Sequence, residues 1–230
     1  MAEWSYGVTT CPQRLTTLLP RTLCSLAAAG FDRPMLFLDG PRDGLPADTC
    51  CGLELVHRSS GVGAYGNWLL TTWEIYIRKP QARFYAVFQD DLVMCRGVRE
   101  YLEQCEWPAR VYRNLFTFST NENKVFGKPQ GWHRSDQLGK GAVALVFTHE
   151  GVVDLLKQEH TVNKPQLPKG NKNIDGAVQR AMVVGAKYTE QVHQPSLVQH
   201  TGIEGTLGNP RHPQARTFPG EQYNVLGMIR

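Results

Sequence analysis

Two adjacent acidic residues at the end of an apolar run form the strongest chemical signal in the sequence. The run FYAVF, at 84–88, leads directly into Gln89, Asp90 and Asp91. An uninterrupted run of this kind is typical of a central strand covered on both faces, and open α/β sheets bind ligands beyond the carboxyl ends of such strands. Of two adjacent carboxylates, one can bind a divalent cation while the other accepts hydrogen bonds from a ligand. The pair alone also fits a polar strand end that caps a turn.

A second signal lies near the C-terminus, in the segment PSLVQHTG at 195–202. An extended apolar stretch there carries His200 to a glycine turn. Imidazole is a common metal ligand, so His200 could complete a metal site with Asp90 and Asp91. A lone histidine is more often a surface residue or a satisfied interior one. The metal interpretation therefore depends on the two segments meeting in space.

The elements that must position these residues alternate between short apolar runs and helical patterns. This alternation predicts an α/β fold with a mixed, mainly parallel sheet flanked by helices, in a single domain. The predicted strands lie at 4–10, 34–40, 53–58, 84–88, 115–118, 142–147 and 187–193. The predicted helices lie at about 15–29, 64–78, 98–105 and, capped by Thr148, 149–156; another begins near 173. The polar, basic stretch from 121 to 140 is predicted to be a loop.

Composition places the chain among globular proteins. Of its 230 residues, 41% are hydrophobic and 20% are charged, which excludes a disordered chain. Lys and Arg outnumber Asp and Glu by 25 to 21, and the net charge of +4 permits an anionic ligand without indicating a nucleic-acid binder. No apolar run approaches the length of a membrane span and strand-like sequence begins at Trp4, so we expect no membrane segment and a cytoplasmic location, bacterial or phage-encoded. The six cysteines include no CxxC pair, which indicates reduced, mostly buried thiols.

Taken together, these segments resemble the GT-A-fold glycosyltransferases, which use nucleotide-diphosphate sugars. The resemblance runs from WSYGVTTCPQRLTTLLPRTLCSL through FLDG, FYAVFQDDL, GAVALVF and NIDGAVQRAM to PSLVQHTG, and the last segment is most similar to branch-forming N-acetylglucosaminyltransferases. In that family an acidic triplet binds Mn²⁺ or Mg²⁺ through its last carboxylate, and a late histidine supplies another ligand. The resemblance thus implies a metal held by Asp91 and His200 with support from Asp90. Gln89 stands where the family has the first acid of the triplet.

The same resemblance implies where the donor binds. It divides residues 1–230 into a nucleotide-binding half at about 1–92, an acceptor half at about 93–202 and a C-terminal tail at 203–230. A nucleotide-diphosphate sugar, with UDP as the default nucleotide, is expected at the ends of the first strands. The implied donor residues are Thr9, Thr10, Arg14, Asp39, Gly63, Asn67, Gln89 and Asp90. Ordinary structural roles, such as the common Asp39-Gly40 turn, fit these positions as well.

Asp175 is the candidate general base. Its segment NIDGAV begins a helix, and we expect the positive end of that helix to keep the carboxylate ionised. GT-A enzymes that invert the anomeric centre place an acid in such a turn to deprotonate the acceptor hydroxyl, so the resemblance implies an inverting enzyme. Stabilisation of the helix start is the structural alternative.

The acceptor is the least specified part. Trp132, His133 and Arg134 in the predicted loop are the candidate acceptor residues, with basic residues in later loops at Lys164, Lys169, Lys172, Arg211 and Arg216. Aromatic rings stack on sugars and on bases, and lysines follow phosphates, so the residues do not separate the two kinds of acceptor. A glycan or polysaccharide precursor and hydroxymethylated bases in DNA, as in phage-type DNA modification, both stay open.

Two further function classes fit the same residues. Asp pairs with histidine also assemble the two-metal sites of phosphodiesterases and nucleases, although the sequence has no second cluster of acids or histidines. A non-catalytic sugar- or DNA-binding module on a degenerate transferase fold is the other class, and Gln89 is the feature that favours it.

Overall fold

The computed structural model describes residues 2–41, 52–159, 174–202 and 213–228. The strands in these ranges are β1 (Trp4–Thr10), β2 (Met35–Leu38), β3 (Leu55–His57), β4 (Phe84–Gln89), β5 (Leu92–Met94), β6 (Val111–Asn114), β7 (Gly131–Arg134), β8 (Ala144–Thr148), β9 (Thr189–Gln194) and β10 (Val198–His200). The α-helices are α1 (Leu19–Ala28), α2 (Gly63–Arg78), α3 (Val98–Gln104), α4 (Ser119–Val125), α5 (His149–Leu156) and α6 (Ile174–Val178). A π-helix follows α6 at Gln179–Gly185, and 3₁₀ turns lie at Pro12–Arg14 and Val225–Met228.

Eight of these strands form one sheet in the order β3-β2-β1-β4-β8-β6-β9-β7. The pairs from β3 to β4 are parallel, and so is the pair β6 with β9. Only β7 and β8 run antiparallel to their neighbours in this sheet. The predicted α/β class, with a mixed and mainly parallel sheet flanked by helices, is therefore confirmed.

Strand β4 lies in the middle of this sheet and is buried on both faces. Phe84 and Phe88 point into the core that α1 covers, whereas Tyr85 and Val87 point into the core beneath α2. Apolar burial on both faces explains why the run at 84–88 carries no polar residue. Because β4 pairs with β1 and β8 along most of its length, the position of its carboxyl end is fixed.

The chain leaves β4 through Asp90 and Asp91 and enters β5, which belongs to a separate two-stranded ribbon. The partner of β5 is β10, antiparallel, with Val198 opposite Met94 and His200 opposite Leu92. This ribbon returns the late segment 198–200 to the point where β4 ends.

Polar residues inside the protein account for two wrong expectations from the sequence. The strand predicted at 115–118 lies instead at Val111–Asn114, where Arg113 and Asn114 are buried and disguise the strand pattern. The stretch 121–140, predicted to be a loop, contains α4 and β7. Helix α4 is polar in sequence but buries Asn121 and Glu122, whose side chains bond to backbone N–H groups of distant segments.

The expectation of mostly buried thiols is also wrong for the described cysteines. Cys95 is buried, Cys11 and Cys105 are half-buried, and Cys24 is exposed; none of these four is in a disulfide. Cys50 and Cys51 lie outside the described residues. Within the described ranges, the length and hydropathy that a membrane-crossing helix needs are not found together in any helix.

Candidate functional site

The carboxyl ends of β1, β2 and β4 and the start of α2 enclose a pocket of about 620 Å³. This volume is in the range of small-molecule and cofactor sites. Ile174, the first residue of α6, closes one side of it. The pocket wall includes all eight residues assigned to the donor: Thr9, Thr10, Arg14, Asp39, Gly63, Asn67, Gln89 and Asp90. The sequence thus grouped residues that the fold brings together, while their binding role stays a prediction.

Where Asp90 reaches the pocket, the acid pair of Asp90 and Asp91 is neutralised in part by Arg14. The guanidinium Nη1 donates to Asp90 Oδ1 at 2.7 Å and to Asp91 Oδ2 at 2.6 Å, and the Thr10 hydroxyl donates to Asp90 Oδ2 at 2.6 Å. Burial raises the pKa of Asp90, and the Asp91 charge adds to this, more than Arg14 and Thr10 lower it. Burial acts to lower the pKa of Arg14, but the two carboxylates outweigh it, so the pKa is raised and the guanidinium keeps its charge.

His200 meets this acid pair, as the metal hypothesis requires. Its Nε2 atom lies 3.4 Å from Asp91 Oδ2, and both side chains are buried. The backbone N–H of Thr201 donates to the carbonyl oxygen of Asp91 at 2.7 Å, which ties the two segments together. A Cβ atom on Gly202 would lie 3.0 Å from Asp91 Oδ2 and 3.1 Å from His200 Cε1, so a side chain at 202 would crowd the pair.

The residues at this point fit a divalent cation held by few protein ligands. No group of three or more His, Cys, Asp or Glu side chains within the described ranges is arranged to hold a metal. Asp91 Oδ1, however, is buried without a hydrogen-bond partner in the structure, while Oδ2 of the same carboxylate faces the imidazole of His200. Mg²⁺ and similar hard cations are held by one or two carboxylates together with water and substrate phosphates, so a small donor set suits them. Asp91 and His200 therefore suit Mg²⁺ or Mn²⁺ better than they suit zinc, which prefers a closed site of four protein ligands.

The remaining strand ends shape the pocket through contacts of their own. Asp39 Oδ1 accepts from the backbone N–H of Val62 at 2.6 Å, which draws the chain before α2 towards β2. Gly63 begins α2 with a φ of +79°, a conformation that favours glycine. The amide of Asn67 donates to the carbonyl of Phe37 at 2.8 Å and accepts from Arg58 Nε at 3.2 Å, so its orientation is set. These contacts build the wall and leave the pocket open.

Asp175 lies next to the pocket and is connected to Gln89 by hydrogen bonds through one intermediate residue, Ala142. Gln89 Nε2 donates to the carbonyl of Ala142 at 2.8 Å, and the N–H of Ala142 donates to Asp175 Oδ1 at 2.9 Å. The N–H of Gly141 donates to the other oxygen, also at 2.9 Å. The expectation that the helix end keeps this carboxylate ionised stays a prediction. Burial raises the pKa of Asp175, and the backbone N–H groups lower it by less.

No protein-family model matches the chain, and no curated protein matches it in sequence. Among solved structures, GalNAc-T7 with UDP, GalNAc and Mn²⁺ is similar with a TM-score of 0.57 at 9% identity, over 87% of this chain and 44% of that one. A nucleotidyl transferase from Methanothermobacter thermautotroptrophicus is similar with a TM-score of 0.50 at 14% identity, over 83% of this chain and 86% of that one. The chain has a GT-A-type fold. At these identities the likeness establishes the fold, and this chain spans less than half the length of GalNAc-T7.

In the GT-A-type fold of this chain, the candidate acceptor residues do not reach the pocket. Trp132, His133 and Arg134 lie on β7, at the sheet edge opposite β3 and four strands from β4. Trp132 packs against Arg113, whose guanidinium carbon is 4.3 Å from the ring centre, and His133 contacts the carbonyl of Pro129 at 2.7 Å. Their acceptor role stays a prediction.

The later basic residues add little to the acceptor question. Arg216 donates to Glu122 and Asn123. Lys164, Lys169, Lys172 and Arg211 lie outside the described residues.

Sequence reasoning missed Thr22, a buried residue of α1 that holds the acid pair in place. Its hydroxyl lies 2.8 Å from the carbonyl oxygens of Asp90 and Leu92 and accepts from the N–H of Leu92 at 3.2 Å. A signal was available, because Thr22 falls on the same helical face as the buried Leu19 and Leu26. A polar residue on an apolar helix face indicates a specific partner inside the protein.

Proposed function

We propose that the protein is a metal-dependent glycosyltransferase that moves a sugar from a nucleotide-diphosphate sugar, with UDP-sugars as the first donors to test, to a hydroxyl acceptor. The observation that carries the proposal is the meeting of Asp91 and His200 directly beside a pocket lined by the ends of β1, β2 and β4. The fold likeness to a protein solved with UDP, GalNAc and Mn²⁺ agrees with it.

Each residue around the acid pair takes one task in this proposal. Asp91 and His200 hold Mn²⁺ or Mg²⁺, which when bound supplies positive charge to the departing diphosphate. Asp90, fixed by Thr10, orients the ribose or a metal-bound water. Arg14 provides a guanidinium that can bind phosphate oxygens, and Asp39 accepts from the edge of the base. Gly63 lets the nucleoside approach the start of α2 closely.

Asp175 accepts the proton of the acceptor hydroxyl. A carboxylate whose pKa is raised by burial is a stronger base than an exposed one, which favours its role as a proton acceptor. Asp175 is joined to the donor pocket through Ala142, and Ile174 beside it lines that pocket. A base on that side of the donor goes with inversion at the anomeric carbon. The acceptor is a glycan precursor or hydroxymethylated DNA, and the reaction is expected in the cytoplasm.

The test is a mass-spectrometric screen of nucleotide sugars with Mn²⁺ against glycan and hydroxymethyl-DNA acceptors. We expect transfer by the wild type and its loss in Asp91→Asn, which keeps the size of the side chain but removes the charge. Asp32→Asn, at an exposed position, is the matched control and should keep full activity. Full transfer by Asp91→Asn would remove the metal role.

Nucleotidyl transfer is a second candidate, because the structural alignment with the nucleotidyl transferase from Methanothermobacter thermautotroptrophicus covers most of both chains. The same screen therefore includes nucleoside triphosphates with sugar 1-phosphates. Release of pyrophosphate with formation of a nucleotide sugar would favour this reaction over sugar transfer. Cleavage of plain DNA with Mn²⁺ would indicate a nuclease, and donor binding without any product would indicate a non-catalytic module.

A further inference from the structure

A single nitrogen atom of Arg14 contacts both carboxylates of the acid pair. Its Nη1 donates to Asp90 Oδ1 at 2.7 Å and to Asp91 Oδ2 at 2.6 Å. The Arg14 side chain is 12% exposed, whereas the carboxylate side chains are 4% and 1% exposed. Buried charges are stable only when they are paired, so Arg14 acts as the counter-ion of the acid pair in this state.

The same carboxylate oxygen serves Arg14 and faces His200. Asp91 Oδ2 is 2.6 Å from Arg14 Nη1 and 3.4 Å from His200 Nε2. A Mg²⁺ ion sits about 2.1 Å from its oxygen ligands. A cation shared by Asp91 and His200 would therefore lie within a few ångströms of the guanidinium, where two positive charges repel each other strongly in a buried site. Arg14 and a divalent cation thus compete for Asp91.

The pocket offers the guanidinium another place to go. Arg14 and Asp90 line the cavity, while Asp91 lies behind it. An arginine binds the oxygens of a diphosphate through paired, charge-assisted hydrogen bonds. An anionic ligand in the cavity can therefore draw the Arg14 side chain away from Asp91.

We propose that Arg14 keeps the metal site closed in the free protein and releases Asp91 to a divalent cation when a nucleotide diphosphate enters the pocket. The nucleotide part rests on the proposed function. The competition between Arg14 and the cation rests only on the contacts of Arg14 with the acid pair. The consequence is that the free protein binds Mn²⁺ weakly, and that loss of Arg14 uncovers the site.

The experiment measures Mn²⁺ binding without nucleotide, from the electron paramagnetic resonance signal of free Mn²⁺. Arg14→Gln should bind Mn²⁺ about ten-fold more tightly than the wild type, or better. Arg14→Lys keeps the charge and should bind as weakly as the wild type. Arg21→Gln is the matched control, because it removes one positive charge from an exposed arginine of α1 that pairs with Glu221. The double variant Arg14→Gln with Asp91→Asn should lose the gained site.

Thermal unfolding gives a second readout that holds if Arg14→Gln is destabilised. Removal of Arg14 leaves two buried carboxylates without their counter-ion, so Mn²⁺ should raise the melting temperature of Arg14→Gln far more than that of the wild type. Equal Mn²⁺ affinity in Arg14→Gln, Arg21→Gln and the wild type would overturn the proposal, and so would a gained site that survives Asp91→Asn or an Arg14→Gln variant that Mn²⁺ does not stabilise. A failed proposed function shows itself separately, as absence of product and of donor binding in the wild type.

Discussion

The imidazole of His200 lies 3.4 Å from the carboxylate of Asp91, although the two residues come from segments far apart in the chain. The contact depends on the β5–β10 ribbon, in which His200 stands opposite Leu92. A register shift of one residue would place Gln199 there and turn the imidazole to the other face. The proposed metal site therefore depends on this short ribbon as much as on the main sheet.

We expect His200→Gln to weaken Mn²⁺ binding in the presence of UDP by about 10- to 100-fold. The glutamine keeps a polar side chain of similar size but removes the ring nitrogen that faces Asp91. Isothermal titration of Mn²⁺ into the protein saturated with UDP measures the effect. His57→Gln, at an exposed position of β3, is the control and should bind as the wild type does. Unchanged Mn²⁺ affinity in His200→Gln would contradict the ligand role.

Replacing Thr22 with valine should weaken both the fold and the site. The valine keeps the shape but leaves the N–H of Leu92 without its acceptor, which costs about 1–3 kcal/mol of unfolding free energy. Because the same hydroxyl holds the carbonyl of Asp90, Mn²⁺ affinity with UDP should fall as well.

Denaturant unfolding and metal titration test this, and Thr22→Ser should restore both. Thr72→Val is the matched control, since the Thr72 hydroxyl bonds only to the carbonyl of Trp68 in its own helix. If Thr22→Val lost stability but bound Mn²⁺ normally, Thr22 would have no part in positioning the acid pair.

Stability should fall as the pH rises through neutrality, because of Glu190. Burial raises the pKa of Glu190 from 4.5 to about 7, and the charges of Asp136 and Asp175 add to this, while Ser135 and Asn114 lower it. The folded protein thus binds a proton that the unfolded chain releases. The contribution of Glu190 to the free energy of unfolding is fully present below about pH 4.5 and is lost as the pH rises through 7.

Glu190→Gln should remove this dependence. At pH 8 the variant should be more stable than the wild type, by an amount on the order of 3 kcal/mol at most. Urea unfolding at several pH values between 5 and 8 measures the slope. The exposed Glu150→Gln should leave the slope as it is in the wild type. Identical slopes in Glu190→Gln and the wild type would refute the assignment.

Asp175→Asn should lower kcat by about 10²- to 10⁴-fold and leave the donor KM unchanged. The asparagine cannot accept protons, and it also loses one of its two backbone contacts, with Gly141 or Ala142. The loss of this hydrogen bond should also lower the stability of the fold, independently of any effect on proton transfer. Asp136→Asn separates the effects, because Asp136 supports the chain just before Gly141 through Leu138 and Thr120 and is not part of the proposed catalytic site. An equal loss of kcat in the two variants would assign Asp175 a structural role only.

The fold could be predicted best where burial of a segment leaves a local pattern of apolar residues in the sequence. The run at 84–88 is apolar because both faces of β4 are buried in the core, so its end at Asp90 and Asp91 could be read directly. His200 carries no such local signal. The chemistry of imidazole made His200 a candidate ligand beside the acid pair, and the family resemblance implied the same role, but neither shows that the two segments meet in space.

The sequence predicted poorly where the partners of a polar residue come from distant segments. Arg113 lies before the strand predicted at 115–118 and carries no sequence signal of burial, yet it is buried between Trp107, 4.0 Å away, and Trp132, 4.3 Å away, measured from the guanidinium carbon to each ring centre. The sequence likewise does not indicate the partner of Trp132. It was a candidate for stacking on the acceptor, but its ring packs against Arg113. Glu122 holds Thr217 through its backbone N–H and its hydroxyl, and nothing near α4 in the sequence indicates that contact.

The amide of Gln89 has a consequence for any redesign that would introduce the acidic triplet of the GT-A glycosyltransferases. The side-chain N–H of Gln89 donates a hydrogen bond to the carbonyl oxygen of Ala142, and a carboxylate in its place would set two acceptor oxygen atoms against each other. Restoring an acid at 89 to complete the triplet would thus loosen the turn that carries the N–H groups bound to Asp175. The amide at 89 links the pocket wall to the turn that holds Asp175, so its replacement by an acid would disturb both.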